Sequence, residues 1–134
     1  MHVNELAIRI GVTPDTVRYY TRIGLLKPNK NPINGYKTYS EQECHRLRFI
    51  TDARVLGFSV DDIRQILGVA DTGKTPCPIA RELIEIRLQE LEERFQNMVR
   101  LRQRMLDAVA SWKDKPDQEP NGHAICHLIE EFSE

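Results

Sequence analysis

The sequence predicts a mainly α protein: a small helical head carrying a two-stranded wing, one long helix, and a short loop ending in a further helix. Three observations predict it. Helix start and stop signals recur through the first 70 residues, an Asn-Gly pair sits in a short alternating stretch between them, and no glycine or proline interrupts residues 79–115.

The composition is that of one globular domain. Its 134 residues are 40% hydrophobic and 29% charged, which excludes a large multidomain enzyme and a disordered chain. No run approaches the ~18 apolar residues of a membrane span, and Met1 leads into mixed polar sequence, so a cytoplasmic location is expected. Cys44, Cys77 and Cys126 are an odd count without a secretory signal, which favours reduced thiols or thiolate ligands over disulfides. The net charge of −1 hides an asymmetry: residues 1–70 carry net +3 and residues 71–134 net −4. A basic first half is compatible with nucleic acid at that end alone.

Leu6, Ile8 and Ile10 lie too close together to fix the period of the first segment. Thr13-Pro14-Asp15 then reads as an N-cap, an N1 proline and an acidic first turn of a helix running to Ile23 and stopping at Gly24. The Gly11-Val12-Thr13 turn between the two has helix-turn-helix spacing. Asn34-Gly35 with Tyr36-Lys37-Thr38-Tyr39 predicts a hairpin closed by a type I′ turn. Ser40 to Glu43 has the spacing of a capping box opening a helix over Glu41 to Leu56, with Leu47, Ile50 and Leu56 inward. Ser59-Val60-Asp61-Asp62 opens a fourth helix, expected to reach Gly68.

After a polar linker, Cys77-Pro78 starts the long helix. Ile84, Leu88, Leu91, Phe95 and Met98 alternate steps of four and three; Arg102 breaks the run, and Met105 and Val109 resume it. From Ile79 to Trp112 such a helix is ~51 Å long, more than the head can cover. A second copy is the simplest partner, giving a parallel or antiparallel two-stranded coil and a twofold dimer. His123 to Ile129 reads as the start of one short terminal helix, which would put His123 and Cys126 on one face and His127 elsewhere.

The chain resembles the MerR family of transcription activators along its whole length. "ELAIRIGVTPDTVRYYTRIGLL" is similar to the family's recognition-helix region, "GYKTYS" to its wing, and "RLRFITDARVLGFSVDDIRQIL" to its third and fourth helices. The resemblance implies a winged helix-turn-helix DNA-binding domain over 1–70 and a linker over 71–77. It further implies a dimerisation helix over 78–112, forming an antiparallel coiled coil in the dimer, and an effector (metal) loop with a C-terminal helix over 113–134. Only some twenty residues follow the long helix, so a small effector is implied, and Cys126 alone there does not match the four-cysteine iron–sulfur branch.

On chemistry alone, Arg18 suits a phosphate or a guanine edge, Tyr19 and Tyr20 present hydroxyls, and Tyr36 and Lys37 let the wing reach the backbone. Thr13 and Thr16 could also face the groove, while one tyrosine, Tyr20 more than Tyr19, is expected to be partly core packing. The resemblance supports these roles and adds Arg54 as a phosphate contact.

Cys77, just before Pro78, lies where unpaired helix amides favour a thiolate. His123, Cys126 and His127 supply a second group of borderline-soft ligands for zinc, cadmium, lead or mercury. The resemblance implies an intersubunit site in which Cys77 of one protomer meets His123 and Cys126 of the other, with His127 as an optional ligand. A cysteine at that helix start, where the copper(I) branch has serine, implies a divalent ion. The stretch 112–116 lacks the cysteines that usually open the family's loop, which leaves three protein ligands and favours zinc over mercury or lead.

The expected function is therefore a homodimeric regulator, not an enzyme, that binds double-stranded promoter DNA, responds to a divalent metal and works with RNA polymerase. A thiol-based oxidant or electrophile sensor on the same head is the alternative. Catalysis by a metal-bound water ranks last, because no candidate general base accompanies the cluster. Cys44 beside His45 is expected to be a packed thiol, His2 an unconstrained side chain, and Trp112 a residue packing the loop onto the head.

Overall fold

The computed structural model describes residues 1–133. Its elements in order are α1 (Val3–Ile10), α2 (Pro14–Arg22), β1 (Asn29–Lys30), β2 (Lys37–Thr38), α3 (Glu41–Leu56), α4 (Val60–Asp71), α5 (Cys77–Trp112) and α6 (His127–Phe132). Contacts divide the chain into two compact units, one spanning Met1–Arg87 and the other beginning at Leu88. No helix is long and apolar enough to cross a membrane among the described residues.

Local chemistry sets the helix ends of the first unit. Gly11, with φ of 84°, takes the left-handed position that ends α1, and its N–H donates to the Ala7 carbonyl. Thr13 caps α2 by accepting from the Thr16 N–H, with Pro14 at the first helical position. Ser40 caps α3, but the capping box expected there is half made. The Glu43 carboxylate accepts from the Lys27 N–H at 2.9 Å instead, tying the loop after α2 to α3. At α4 the box is complete: Ser59 Oγ accepts from the Asp62 N–H and Asp62 Oδ2 from the Ser59 N–H. Helix α4 runs through Gly68 to Asp71, since an interior glycine weakens a helix without ending it.

The wing departs from its predicted turn. An Asn34-Gly35 turn would set Pro32 opposite Lys37, and proline has no N–H to give a ladder. The strands pair two residues further on, Asn29 with Thr38 and Lys30 with Lys37. Only Gly35 of the two turn residues has positive φ, at 73°. A longer loop closes on Asn31, whose N–H donates to the Tyr36 carbonyl and whose side chain accepts from the Ile33 and Asn34 amides.

Leu6, Val17, Leu26, Leu47, Ile50 and Ile63 form the centre of one core, and Cys44 is buried in it. Leu56, expected inward, is exposed; it lies about 240° around the helix from Ile50, whereas Ala53 continues the buried face. The start of α5 belongs to the same core, with Leu83 buried and Ile79, Ala80 and Ile84 packed against it.

Candidate nucleic-acid interface and metal ligands

Helix α2 buries Val17 and Tyr20 and leaves Asp15, Arg18 and Tyr19 outside. Its two tyrosines divide as expected: Tyr20 is 7% exposed and Tyr19 39%. Tyr19 meets Tyr20 edge-on at 5.2 Å, and the Arg22 guanidinium stands 5.5 Å over the Tyr19 ring, so its orientation is restrained on two sides. Arg18 makes a 3.0 Å ion pair with Asp15 while remaining mostly exposed, a contact easily exchanged for a phosphate. The Thr13 and Thr16 hydroxyls lie 2.8 Å apart at the start of the helix.

The fold brings the wing to this face. Arg18, Tyr36 and Lys37 line one hollow of about 380 Å³, together with His2, Val3 and Asn4. His2, expected to be unconstrained, has a partner instead: its Nδ1 lies 3.4 Å from the Lys37 carbonyl. Lys30 is a further candidate that the sequence reading missed. It stands directly across the wing from Lys37, and like charges in that position repel unless an anion joins them. Its signal was hidden in the register, because the assumed turn placed Lys30 elsewhere. Arg54 lies apart from this hollow, at the end of α3, where it donates to the Phe58 carbonyl at 2.9 Å.

Cys77 is the first residue of α5 and is exposed, with its N–H near the Thr75 hydroxyl at 3.3 Å. His123 and Cys126 do not share a helix, contrary to the expectation. The backbone at Cys126 is extended, with φ of −138° and ψ of 109°, so the helix starts only at His127. In the loop before it the Asn121 side chain accepts from the amides of His123 and Ala124, and the Glu130 carboxylate from that of Ile125. Cys126 is instead the half-buried residue preceding α6, in extended backbone.

His127 has a different partner. Its side chain is 10% exposed and its Nε2 lies 2.9 Å from the Pro116 carbonyl, closing the loop upon itself. Trp112 also serves the loop: its Nε1–H donates to the Leu128 carbonyl at 3.0 Å and its ring meets Phe132, so it holds α6 where packing onto the head was expected. Among the described residues no three His, Cys, Asp or Glu side chains converge as a metal site. An imidazole and two thiols free of disulfides are nonetheless a donor set that fits a borderline divalent ion.

Comparison with known proteins agrees with this architecture. The family model for MerR HTH family regulatory proteins matches residues 1–68, and a second, MerR DNA binding, matches residues 44–108. The transcriptional regulator ZntR of Escherichia coli K12 is 38% identical over 110 residues, 79% of this chain and 78% of its own. The mercuric resistance operon regulatory protein of Serratia marcescens is 34% identical over 127 residues, 95% of this chain and 83% of its own. Among solved structures, the regulator PbrR691 of Ralstonia metallidurans CH34, in complex with lead(II), has the same fold. Its TM-score is 0.76 at 22% identity, over 97% of this chain and 98% of that one. With a helix-turn-helix head, a wing and a long α5 matched along its length, the chain belongs to the MerR family of helix-turn-helix transcription regulators and is not an enzyme.

Proposed function

We propose that this regulator is a cytoplasmic homodimer that activates a promoter by distorting its DNA in response to a divalent metal ion, zinc or a zinc-like ion. The observation that carries the DNA side is the single hollow shared by Arg18 of α2 with Tyr36 and Lys37 of the wing. Thr13, Thr16 and Tyr19 extend that face along α2, Tyr20 supports it from the core, and Arg54 contacts the flanking backbone. Two heads grip a palindrome within an over-long spacer, and effector binding turns them so that the DNA bends and untwists for RNA polymerase.

The exposed apolar stripe of α5 supports a second copy as partner, and the domains follow: a DNA-binding head over 1–70, a linker over 71–77, a dimerisation helix over 78–112 and an effector segment over 113–134. Cys77 of one protomer with His123 and Cys126 of the other would hold the ion. The engagement of His127 with Pro116 argues for His127 closing the loop rather than binding metal. The Serratia marcescens relative is named for mercuric resistance, which supports a metal effector without naming this chain's own.

Anaerobic titration of the reduced dimer with zinc, cadmium, mercury, lead, cobalt and copper(I) tests this reading. Tight, stoichiometric binding with thiolate charge transfer, lost in Cys77→Ser, is the expected result. Failure of every ion to bind tightly would move the assignment to thiol chemistry. One observation favours that second reading: the exposed Cys77 borders an apolar hollow of about 310 Å³ with Phe49, Ala53, Phe58, Ile66 and Ala80, where a small electrophile could lodge.

A further inference from the structure

Asp62 is the buried charged residue of the head, 2% exposed. A capping box does not require that: a solvent-facing carboxylate at the third helical position caps equally well. The burial brings Asp62 Oδ2, which already accepts from the Ser59 N–H at 2.9 Å, to 3.1 Å from Nε of Arg87 on α5. Buried ion pairs contribute little to stability relative to apolar packing, and their best-attested use is to fix register between elements.

The position of Arg87 gives this one something to fix. Ile79, Ala80, Leu83 and Ile84 seat the first turns of α5 on the core, and Arg87 follows on that face as the last residue of the first unit. Apolar contacts tolerate sliding and rotation, whereas a charge pair sharing its oxygen with a helix cap permits one setting.

The partner helix is itself tied to the recognition helix. From α4, Arg64 donates to the Ile23 carbonyl at 2.9 Å, at the end of α2. Asp71, at the other end of α4, is gripped by both terminal nitrogens of Arg46, whose Nε donates to the Leu25 carbonyl just beyond. A turn of α5 that displaced Asp62 would carry α4, and with it the backbone at Ile23 and Leu25.

We propose that Arg87 is a positioning residue that locks the rotational setting of α5 onto the cap of α4, and that this pair passes effector-driven motion of the long helix to the recognition helix. The inference rests on the effector reading above, in that α5 carries the signal.

The test uses the full-length dimer on a promoter whose spacer holds an operator selected with the wild-type protein. Arg87→Gln removes the charge, and Asp62→Asn keeps a carbonyl for the Ser59 N–H and so keeps the cap. Binding to the operator, melting temperature, and transcription with and without zinc are measured. Operator affinity is expected to stay within about threefold while the zinc-induced to basal ratio falls at least about fivefold in both variants. The double variant should be no worse than either single one, and Arg87→Lys should recover part of the ratio. Should the wild type ignore zinc, the metal reading fails instead, and the lock is read from basal transcription at equal occupancy, expected to differ from wild type by about fivefold. Variants that melt at a lower temperature yet give wild-type basal and zinc-induced transcription at equal occupancy would overturn the proposal and leave the pair a stability element.

Discussion

The head and the long helix use apolar residues in opposite ways. In the head, Leu6, Val17, Leu47, Ile50 and Ile63 are fully buried by the chain's own fold. From Leu88 onward, the stripe of Leu91, Phe95, Met98, Met105 and Val109 is exposed, Phe95 at 60% and Met98 at 69%. Both regions are written with similar residues, so the contrast is one of what is available to cover them. Short helices that are capped and turned fold back on one another, while the helix uninterrupted for 36 residues leaves most of its apolar stripe exposed, with α6 packed against its end at Trp112. The head covers its own apolar residues, and the dimerisation proposed above would make the stability of the long helix depend on concentration.

Charging the stripe is the strongest way to break this contrast. Leu91→Lys with Met98→Lys removes two apolar side chains from the coil, each contributing about 1.5–3 kcal/mol when buried, so dimer affinity is expected to fall at least about a hundredfold. Sedimentation equilibrium reads it directly. Circular dichroism of the head should persist, since neither residue belongs to its core. A double variant that stays dimeric at wild-type affinity would place the interface elsewhere.

A core truncation sharpens the same comparison from the other side. Ile50→Ala should cost about 2–5 kcal/mol, the lost burial plus the cavity left in a packed core, and the cost should be the same at every protein concentration. Phe95→Ala should instead weaken unfolding resistance only where the dimer is populated. Denaturant unfolding at two protein concentrations on either side of the dimer dissociation constant distinguishes them, and a concentration-dependent Ile50→Ala effect would break the assignment of independence to the head.

Sequence carried the parts of this fold that rest on neighbours in the chain. Thr13, Pro14, Ser40, Ser59 and the left-handed Gly11 act through bonds spanning four residues or fewer, and α2, α3 and α4 begin where those residues place them. What was hidden depends on partners distant in sequence. Glu43 gave up its own cap for the Lys27 amide, the wing chose its register to suit Pro32 and Asn31, and Lys30 became visible as a candidate contact only when set against Lys37. At the candidate metal residues the departure is local instead: the backbone at Cys126 is extended and Asn121 holds the His123 amide two residues on, so the terminal helix starts only at His127. The pairing of Asp62 with Arg87 joins α4 to α5, and no local pattern announces it.

The smallest expected effect tests whether polar ties in the head behave as part of its self-contained fold. Asp71 is held below the usual carboxylate range by hydrogen bonding to Arg46, reinforced by the charges of Arg46 and Lys27. A folded-state value below the unfolded one means that Asp71 contributes stability above its ordinary value of 3.8, and that this contribution is lost as the pH falls through the lowered folded value. The carboxylate is half exposed, so screening holds the contribution under about 1 kcal/mol. Asp71→Asn should therefore be less stable than wild type near neutrality, with the two urea midpoints converging only under strongly acid conditions. Because Arg46 also holds the Leu25 carbonyl, the head should retain that tie in the variant and lose nothing in dimer affinity. Midpoints differing by the same amount at every pH would mean that the Arg46 grip on Asp71 acts through shape and not through charge.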